Sequence, residues 1–209
     1  LSRSAEVIVG QTWDLNPTDL DFVVAVHRRP TNGPETWSIT CAGALSLTGM
    51  SAAGVAVGTT NIKTRRSRVG VGYLSLLHRA IRAGSVAEAR ELIKAAPRAA
   101  AHTYWLADAA GAMELECDPD TVIERRADAG PLARTNHCLS DVMRGAEGEP
   151  ATGSSQKRLA RAEQQLRSGA EDVESLQALM RDRSDGVDSI NRYTEDAQGT
   201  TTNACVIAV

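Results

Sequence analysis

The 209-residue sequence predicts an α+β fold in which two antiparallel sheets are each covered by a helix pair, all within a single domain spanning residues 1–209. Three observations lead there. Segments of strand character and of helix character come in blocks (strands, two helices, strands, two helices, a strand), with no parallel βαβ alternation. Each helical segment has one apolar face, which must be buried against a sheet. Apolar residues make up 42% of the chain but aromatics only 3%, so the core is built from Ala, Val, Leu and Ile.

The first block opens with Val7-Ile8-Val9, β-branched residues that read as a strand end. Gly10 lets the backbone turn or approach a neighbour closely. Gln11, Thr12, Trp13 and Asp14 follow, before the loop residues Asn16-Pro17-Thr18-Asp19. Residues 22–26 form a second strand, 29–34 a dense turn, and 37–40 the return strand of a hairpin. Residues 50–54 read as a turn and 55–58 as a strand that runs into Thr59-Thr60-Asn61. Leu74, Leu77 and Ile81 then fall at helical spacing, with Gly84 as the stop. Ser85-Val86-Ala87-Glu88 has the capping-box pattern. It starts a second helix carrying Val86, Ala89, Leu92 and Ile93, ended by Pro97.

Strands resume at residues 102–106, 113–117, 121–126 and 132–136, separated by Asp/Gly/Pro turns. The last of them ends in Thr135-Asn136-His137. Residues 141–153 are a Gly/Glu/Pro loop. Ser154 or Ser155 caps a helix carrying Leu159, Ala162 and Leu166, and another follows around Val173, Leu176, Leu179 and Met180. Residues 181–202 are polar and loop-like, and the final strand begins at Asn203. Leu1 is not an initiator methionine and the last strand runs to Val209, so further residues are expected at both ends.

The net charge of −3, without a long basic run, argues against a nucleic-acid partner. Every apolar run is broken by charge before the ~20 residues that a membrane span needs, so no membrane partner is expected either. No signal peptide is visible. Cys41, Cys117, Cys138 and Cys205 are widely spaced, with no CxxC and no Cys/His pair at metal-ligand spacing. Reduced structural thiols, a cytoplasmic location, no metal and no cofactor are the expectations.

Three strand ends carry polar residues suited to a site: Gln11 with Asp14, Thr60 with Asn61, and Asn136 with His137. Side-chain amides can donate hydrogen bonds to a developing oxyanion, and a carboxylate can orient an amine or a protonated base. Each also has a plainer reading: Asp14 as a turn cap, Trp13 as core, His137 as a structural residue. The residues show no nucleophile–base pair. There is no GxSxG elbow. Cys138 reads first as a small core residue, and His27, His78 and His102 as packed or surface side chains.

Five segments occur in order: GQTWDLNP (10–17), TCAG (40–43), GMSAAGVAVGTTN (49–61), GVGYLSLLHRAI (70–81) and LARTNHCLSD (132–141). Together they make the chain resemble the acyl-coenzyme A:6-aminopenicillanic acid acyltransferase family, a branch of the N-terminal-nucleophile (Ntn) hydrolases. Each segment alone is weak, whereas five in order are specific, and the resemblance runs from Ala5 to Val209. It implies a four-layer αββα Ntn-hydrolase sandwich. It also implies a precursor that cleaves itself just before a cysteine, whose thiol is the nucleophile. The α-amine of that cysteine, titrating at about 7.7–8.0, is the base.

On this resemblance the chain is the larger post-cleavage product, with the cleaved propeptide of the same precursor as a partner and a small-molecule amide or acyl donor as substrate. A homo-oligomer is a further possible partner state. Asp14 matches the acidic residue that holds the nucleophile's amine, and Asn136 the oxyanion-hole asparagine. Thr60 or Asn61 matches a second oxyanion or substrate contact, while Trp13 and His137 line the acyl pocket. Gln11 stands where the bile-salt-hydrolase branch has arginine, a departure that counts against a bile-salt or N-acylethanolamine type of amidase. The nucleophile is expected one strand and a hairpin turn before Asp14, upstream of Leu1. Two functions follow: an amide hydrolase or acyltransferase working through an acyl-enzyme, or an inactive Ntn-fold protein that binds an acylated ligand.

Overall fold

Seven strands form one antiparallel meander in the computed structural model of the protein, which describes residues 7–169, 172–195 and 200–208. They run in spatial order β2 (Val23–Arg28), β3 (Thr36–Cys41), β4 (Thr48–Ser51), β5 (Ala56–Thr60), β6 (His102–Asp108), β7 (Gly111–Cys117) and β8 (Val122–Arg126). The two ends of the chain, β1 (Val9–Leu15) and β9 (Thr201–Ala208), pair antiparallel as a second sheet.

Side-chain alternation along the meander sorts its two faces. Val57, Tyr104, Leu106, Leu115 and Cys117 point outward, into a core shared with Leu77, Ile81, Ala89 and Ile93 of α1 (Tyr73–Ala80) and α2 (Val86–Ala95). The alternate residues Ala56, Trp105, Ala107 and Ala112 point inward, against Val9 and Ala208 of the two-stranded sheet. The outer face of that sheet meets Ala162 and Leu166 of α4 (Gly153–Arg167) and Leu176 and Leu179 of α5 (Val173–Met180), with Ile207 in the same cluster. The layers are therefore helix, sheet, sheet, helix, as the sequence predicts. A short α3 (Asp141–Arg144) lies in the connection before α4. No described helix is long and apolar enough to cross a membrane.

Small inward residues let the sheets approach closely. A methyl group at Gly58 would overlap the Trp105 ring and the Gln11 amide oxygen. On the opposite face of β1, a methyl at Gly10 would sit 3.1 Å from Leu176 Cδ2 and 3.2 Å from Met180 Cε. Gly10 is thus a close-approach glycine and not a turn, because β1 continues through it to Leu15.

Several boundaries differ from expectation. Residues 132–136 form no strand, because side-chain contacts from neighbouring elements, and no ladder, hold that segment. Residues 50–51 belong to β4, so the turn is shorter than expected. The cap of α4 is Thr152, whose hydroxyl accepts from Ser155 N–H at 3.2 Å, and neither Ser154 nor Ser155 caps it. The final strand starts at Thr201, ahead of Asn203. Ser85 does cap α2, accepting from Glu88 N–H at 3.2 Å, but the Glu88 carboxylate returns to Gly84 N–H and not to the cap residue. Val209 and the first six residues, on which the expected chain ends fall, lie outside the described residues.

Gly58→Ala is expected to destabilise the protein by about 1–3 kcal/mol through overpacking between the sheets. Gly72→Ala, where a methyl meets nothing within 4 Å, should change stability little. Urea unfolding of the two variants against the parent measures both.

Candidate active site

β1 pairs with β9 residue for residue until a bulge falls between Trp13 and Asp14. A bulge re-aims the side chains beside it. Here it puts Asp14 opposite Thr202, whose hydroxyl donates to Asp14 Oδ1 at 2.8 Å. Arg192 forms an ion pair with the other carboxylate oxygen. The backbone of Arg192 is itself tied to Thr202, donating to Thr202 Oγ1 at 3.0 Å and accepting from Thr202 N–H at 2.8 Å. Two residues, themselves tied to each other, thus lock one carboxylate in place.

Gln11 lies three residues earlier on the inner face of β1. Its Oε1 accepts from Trp105 Nε1 at 2.7 Å and from the Thr59 backbone N–H at 3.1 Å. It therefore fastens the two sheets together.

Asn136 projects from the segment after β8. Its Nδ2 donates to the Asn61 carbonyl at 3.2 Å, and its Oδ1 accepts from Arg158 Nη2 at 3.0 Å. A buried charge cluster clamps the segment on either side. Arg134 pairs with Glu114 and Glu116, and Arg125 pairs with Glu114. Arg125 also donates to the Ala133 carbonyl at 3.0 Å and Arg134 to the His137 carbonyl at 2.7 Å. Glu116, only 2% exposed, accepts further hydrogen bonds from the Leu139 and Ser140 N–H groups and the Ser140 hydroxyl.

These elements surround a cavity of about 910 Å³ lined by Gln11, Trp13, Asp14, Thr60, Asn61 and Asn136. Its lining also includes Trp105, Met113, Leu166, Leu176, Leu179 and Met180, so it has apolar as well as polar parts. The three strand ends singled out in the sequence do converge. The exception is His137, which was expected on the acyl pocket. Its ring turns away from the cavity to Ser155 Oγ, 2.8 Å from Nδ1, and lies near the Thr135 hydroxyl. The clamp on its own carbonyl sets that direction. Burial, and then the Arg134 charge, lower its pKa.

None of the four cysteines lines the cavity. Burial pushes the Cys138 thiol up to about 12, with Glu116 and Glu147 adding to the effect, and the Cys117 thiol is raised similarly. Both stay protonated and unreactive near neutrality. His102 does line the cavity, stacked on Tyr73 with ring centroids 4.0 Å apart, and burial pushes its pKa down to about 4. Among the described residues, no group of three or more His, Cys, Asp or Glu is placed to hold a metal ion.

Sequence reasoning passed over Arg192, Thr202 and Arg158. The first two lie in a polar stretch with no motif, and Arg158 sits on a helix face that reads as ordinary solvated surface. Both arginines reach Asp14 and Asn136 only through tertiary structure.

A profile of the family described as acyl-coenzyme A:6-aminopenicillanic acid acyltransferase matches residues 2–208. No match was found among curated protein sequences. Penicillin V acylase from Agrobacterium tumefaciens superposes with a TM-score of 0.53 at 12% identity, covering 83% of this chain and 67% of that one. The Caenorhabditis elegans N-acylethanolamine-hydrolyzing acid amidase ortholog superposes with a TM-score of 0.59 at 13% identity, covering 83% and 80%. These likenesses show the fold, the αββα sandwich of the Ntn hydrolases.

Glu116→Leu should cost about 3–5 kcal/mol, because it leaves Arg134 with a broken buried pair. Calorimetric melting checks this. His102 carries a pH signature. Unfolded, it titrates near 6.5, and folded at about 4, so the unfolded chain binds more protons between those values. Stability should fall on acidification through that window by up to about 1.4 kcal/mol per pH unit from this group. Urea titrations in that window should show a shallower loss in His102→Gln.

Proposed function

This chain belongs to the acyl-coenzyme A:6-aminopenicillanic acid acyltransferase family, and from that membership we propose that it cleaves or transfers the acyl group of a linear N-acyl amide through a cysteine thiol. The observation that carries the reading is the meeting of Asp14 and Asn136, from opposite parts of the chain, on one cavity with an apolar wall. The thiol belongs to a cysteine upstream of Leu1 that self-cleavage makes N-terminal.

Each residue then has a role its contacts support. Asp14, held by Thr202 and Arg192, presents a carboxylate to the α-amine of that cysteine. The free amine takes the thiol proton and later protonates the leaving amine. The thiolate attacks the amide carbonyl, the C–N bond breaks, and an acyl-enzyme remains for water or a second amine to resolve. Asn136 Nδ2 uses one hydrogen on the Asn61 carbonyl, so its second is available to the tetrahedral oxyanion. Asn61 serves better than Thr60 as the second contact, because the Thr60 N–H is already bound to Thr103 Oγ1 at 3.2 Å. Trp13 lines the acyl side. Gln11, its amide oxygen doubly occupied, supports the site from between the sheets.

Intact mass and N-terminal sequencing of the protein expressed from its full precursor test the reading. A cysteine at a newly formed N-terminus is expected. A precursor that stays uncleaved and has no cysteine at the junction would instead make this an inactive Ntn-fold protein that binds an acylated ligand. In the processed enzyme, Asn136→Ala should lower kcat by about 10²–10³-fold. An unchanged rate would remove the oxyanion assignment.

A further inference from the structure

We propose that Arg28, Arg82 and His78 form a cradle for a phosphate group, on the outer, α1-covered side of the seven-stranded sheet and apart from the cavity. None of the three lines that cavity. Arg28 ends β2, and Arg82 follows the last residue of α1 by two positions. The cradle therefore sits where the hairpin of β2 and β3 meets the C-terminal end of α1.

The protein fixes each group in place. Arg28 Nη1 donates to Ser38 Oγ at 2.8 Å and to Ser46 Oγ at 3.3 Å. Both serines are buried, at 4% and 0% exposure. Ser46 Oγ in turn lies 3.1 Å from His78 Nδ1. A guanidinium can only donate, so the Ser46 hydroxyl accepts from Arg28 and keeps its own hydrogen for Nδ1. That leaves the His78 ring proton on Nε2, where even the neutral imidazole is a donor. Arg82 Nη2 donates to the Asn32 carbonyl at 3.2 Å, which ties it to the turn after β2. A methyl group at Gly33, in the same turn, would come within 3.3 Å of that nitrogen.

What the cluster lacks is an acid. Among the described residues, neither Arg28 nor Arg82 has an ion-pair partner, and their hydrogen bonds go to two hydroxyls and one carbonyl. A part-buried guanidinium is ordinarily paired. The acidic residue of the hairpin, Glu35, is held by His27 at 2.7 Å and by Arg29 at 3.6 Å. His27 and Arg28 are strand neighbours on opposite faces, so Glu35 is engaged away from Arg28. The first acidic residue after α1, Glu88, accepts from the Gly84 N–H at 2.8 Å. Burial lowers the His78 pKa first, and the charges of Arg28 and Arg82 lower it further, so both guanidiniums act on one ring.

Two guanidiniums and an imidazole N–H carry more donors than one planar carboxylate can use, and a double positive charge that a dianion matches. A phosphate group supplies three acceptor oxygens and up to about two negative charges near neutrality. Free phosphate, a soluble phosphate monoester and a lipid headgroup ending in phosphate share this chemistry.

Inorganic phosphate is the probe, titrated into the protein at constant ionic strength and about pH 7.5, where it is largely the dianion. The His78 ring resonances are followed by NMR, a readout that needs no catalysis and is independent of the amide-cleaving reading. A saturable shift is expected. Arg82 is exposed, so Arg82→Gln should keep the fold while weakening phosphate about tenfold, the low end for a charged hydrogen bond. Arg82→Lys should recover part of the loss. Phosphatidylcholine vesicles with and without phosphatidic acid separate the sources. Sedimentation with phosphatidic acid that phosphate competes away and Arg82→Gln weakens would assign the cradle to a lipid phosphate, and no sedimentation to a soluble one. No saturable shift with phosphate, an equal response to acetate, or an unchanged affinity in Arg82→Gln would each overturn the proposal.

Discussion

The contact between Gln11 and the seven-stranded sheet is the constraint on which the site depends. An amide oxygen placed between two sheets must find donors or bear a desolvation cost of about 1–3 kcal/mol. Here it finds two, the Trp105 indole and the Thr59 N–H. Gly58 makes the room, since any side chain there would fill the space the amide occupies. The bond pins the register of β1 against β5 and β6. A slip of one residue would turn Gln11 outward toward α5 and carry Asp14 away from Thr202. The position of the carboxylate follows from an amide that does no chemistry itself.

Two charge clusters flank the cavity, and they differ in kind. Glu114, Glu116 and Arg134, nearly closed to solvent, and the part-exposed Arg125 balance one another and clamp the segment bearing Asn136. In the other, Asp14 and Arg158 line the cavity, Asp14 is paired with Arg192, and Asp14 and Asp188 both oppose the burial of the Arg158 charge. The inner face of β7 supplies the carboxylates of the clamp, and α4 over the small sheet supplies Arg158, so the two clusters arise from different layers.

Much of this was legible in the sequence, for identifiable reasons. The block order of strands and helices, the Ser85 cap and the strands at 102–106 and 113–117 are local signals, and the structure keeps them. The convergence of Asp14, Asn61 and Asn136 came from motif order. What the sequence hid was long-range. Arg192 sits in a polar stretch with no periodicity, and only the pairing of β9 with β1 brings it to Asp14. Residues 132–136 read as a strand, but Arg134 is used in the clamp, Thr135 binds the Ser155 carbonyl, and their backbone joins no ladder. His137 follows Asn136 directly, but the chain bends there and the two side chains diverge. One reaches the cavity, and the other turns to Ser155.

The histidines bear on the proposal that an amine is the base. His27 is paired with Glu35 at 2.7 Å and stacked on Trp37, on the hairpin of β2 and β3. His78 lies 3.1 Å from the buried Ser46 hydroxyl beneath α1, its pKa lowered by burial and by Arg28. His137 is bound to Ser155, and His102, the one of these on the cavity, is held neutral down to about pH 4 with no carboxylate partner. None combines access to the cavity with an acidic residue to orient it and stabilise its protonated form. Asp14 has the access and a fixed carboxylate, but no imidazole stands beside it. A carboxylate so placed is suited to a base carried by the nucleophile's own residue, and the α-amine of a cysteine meets that need at neutral pH.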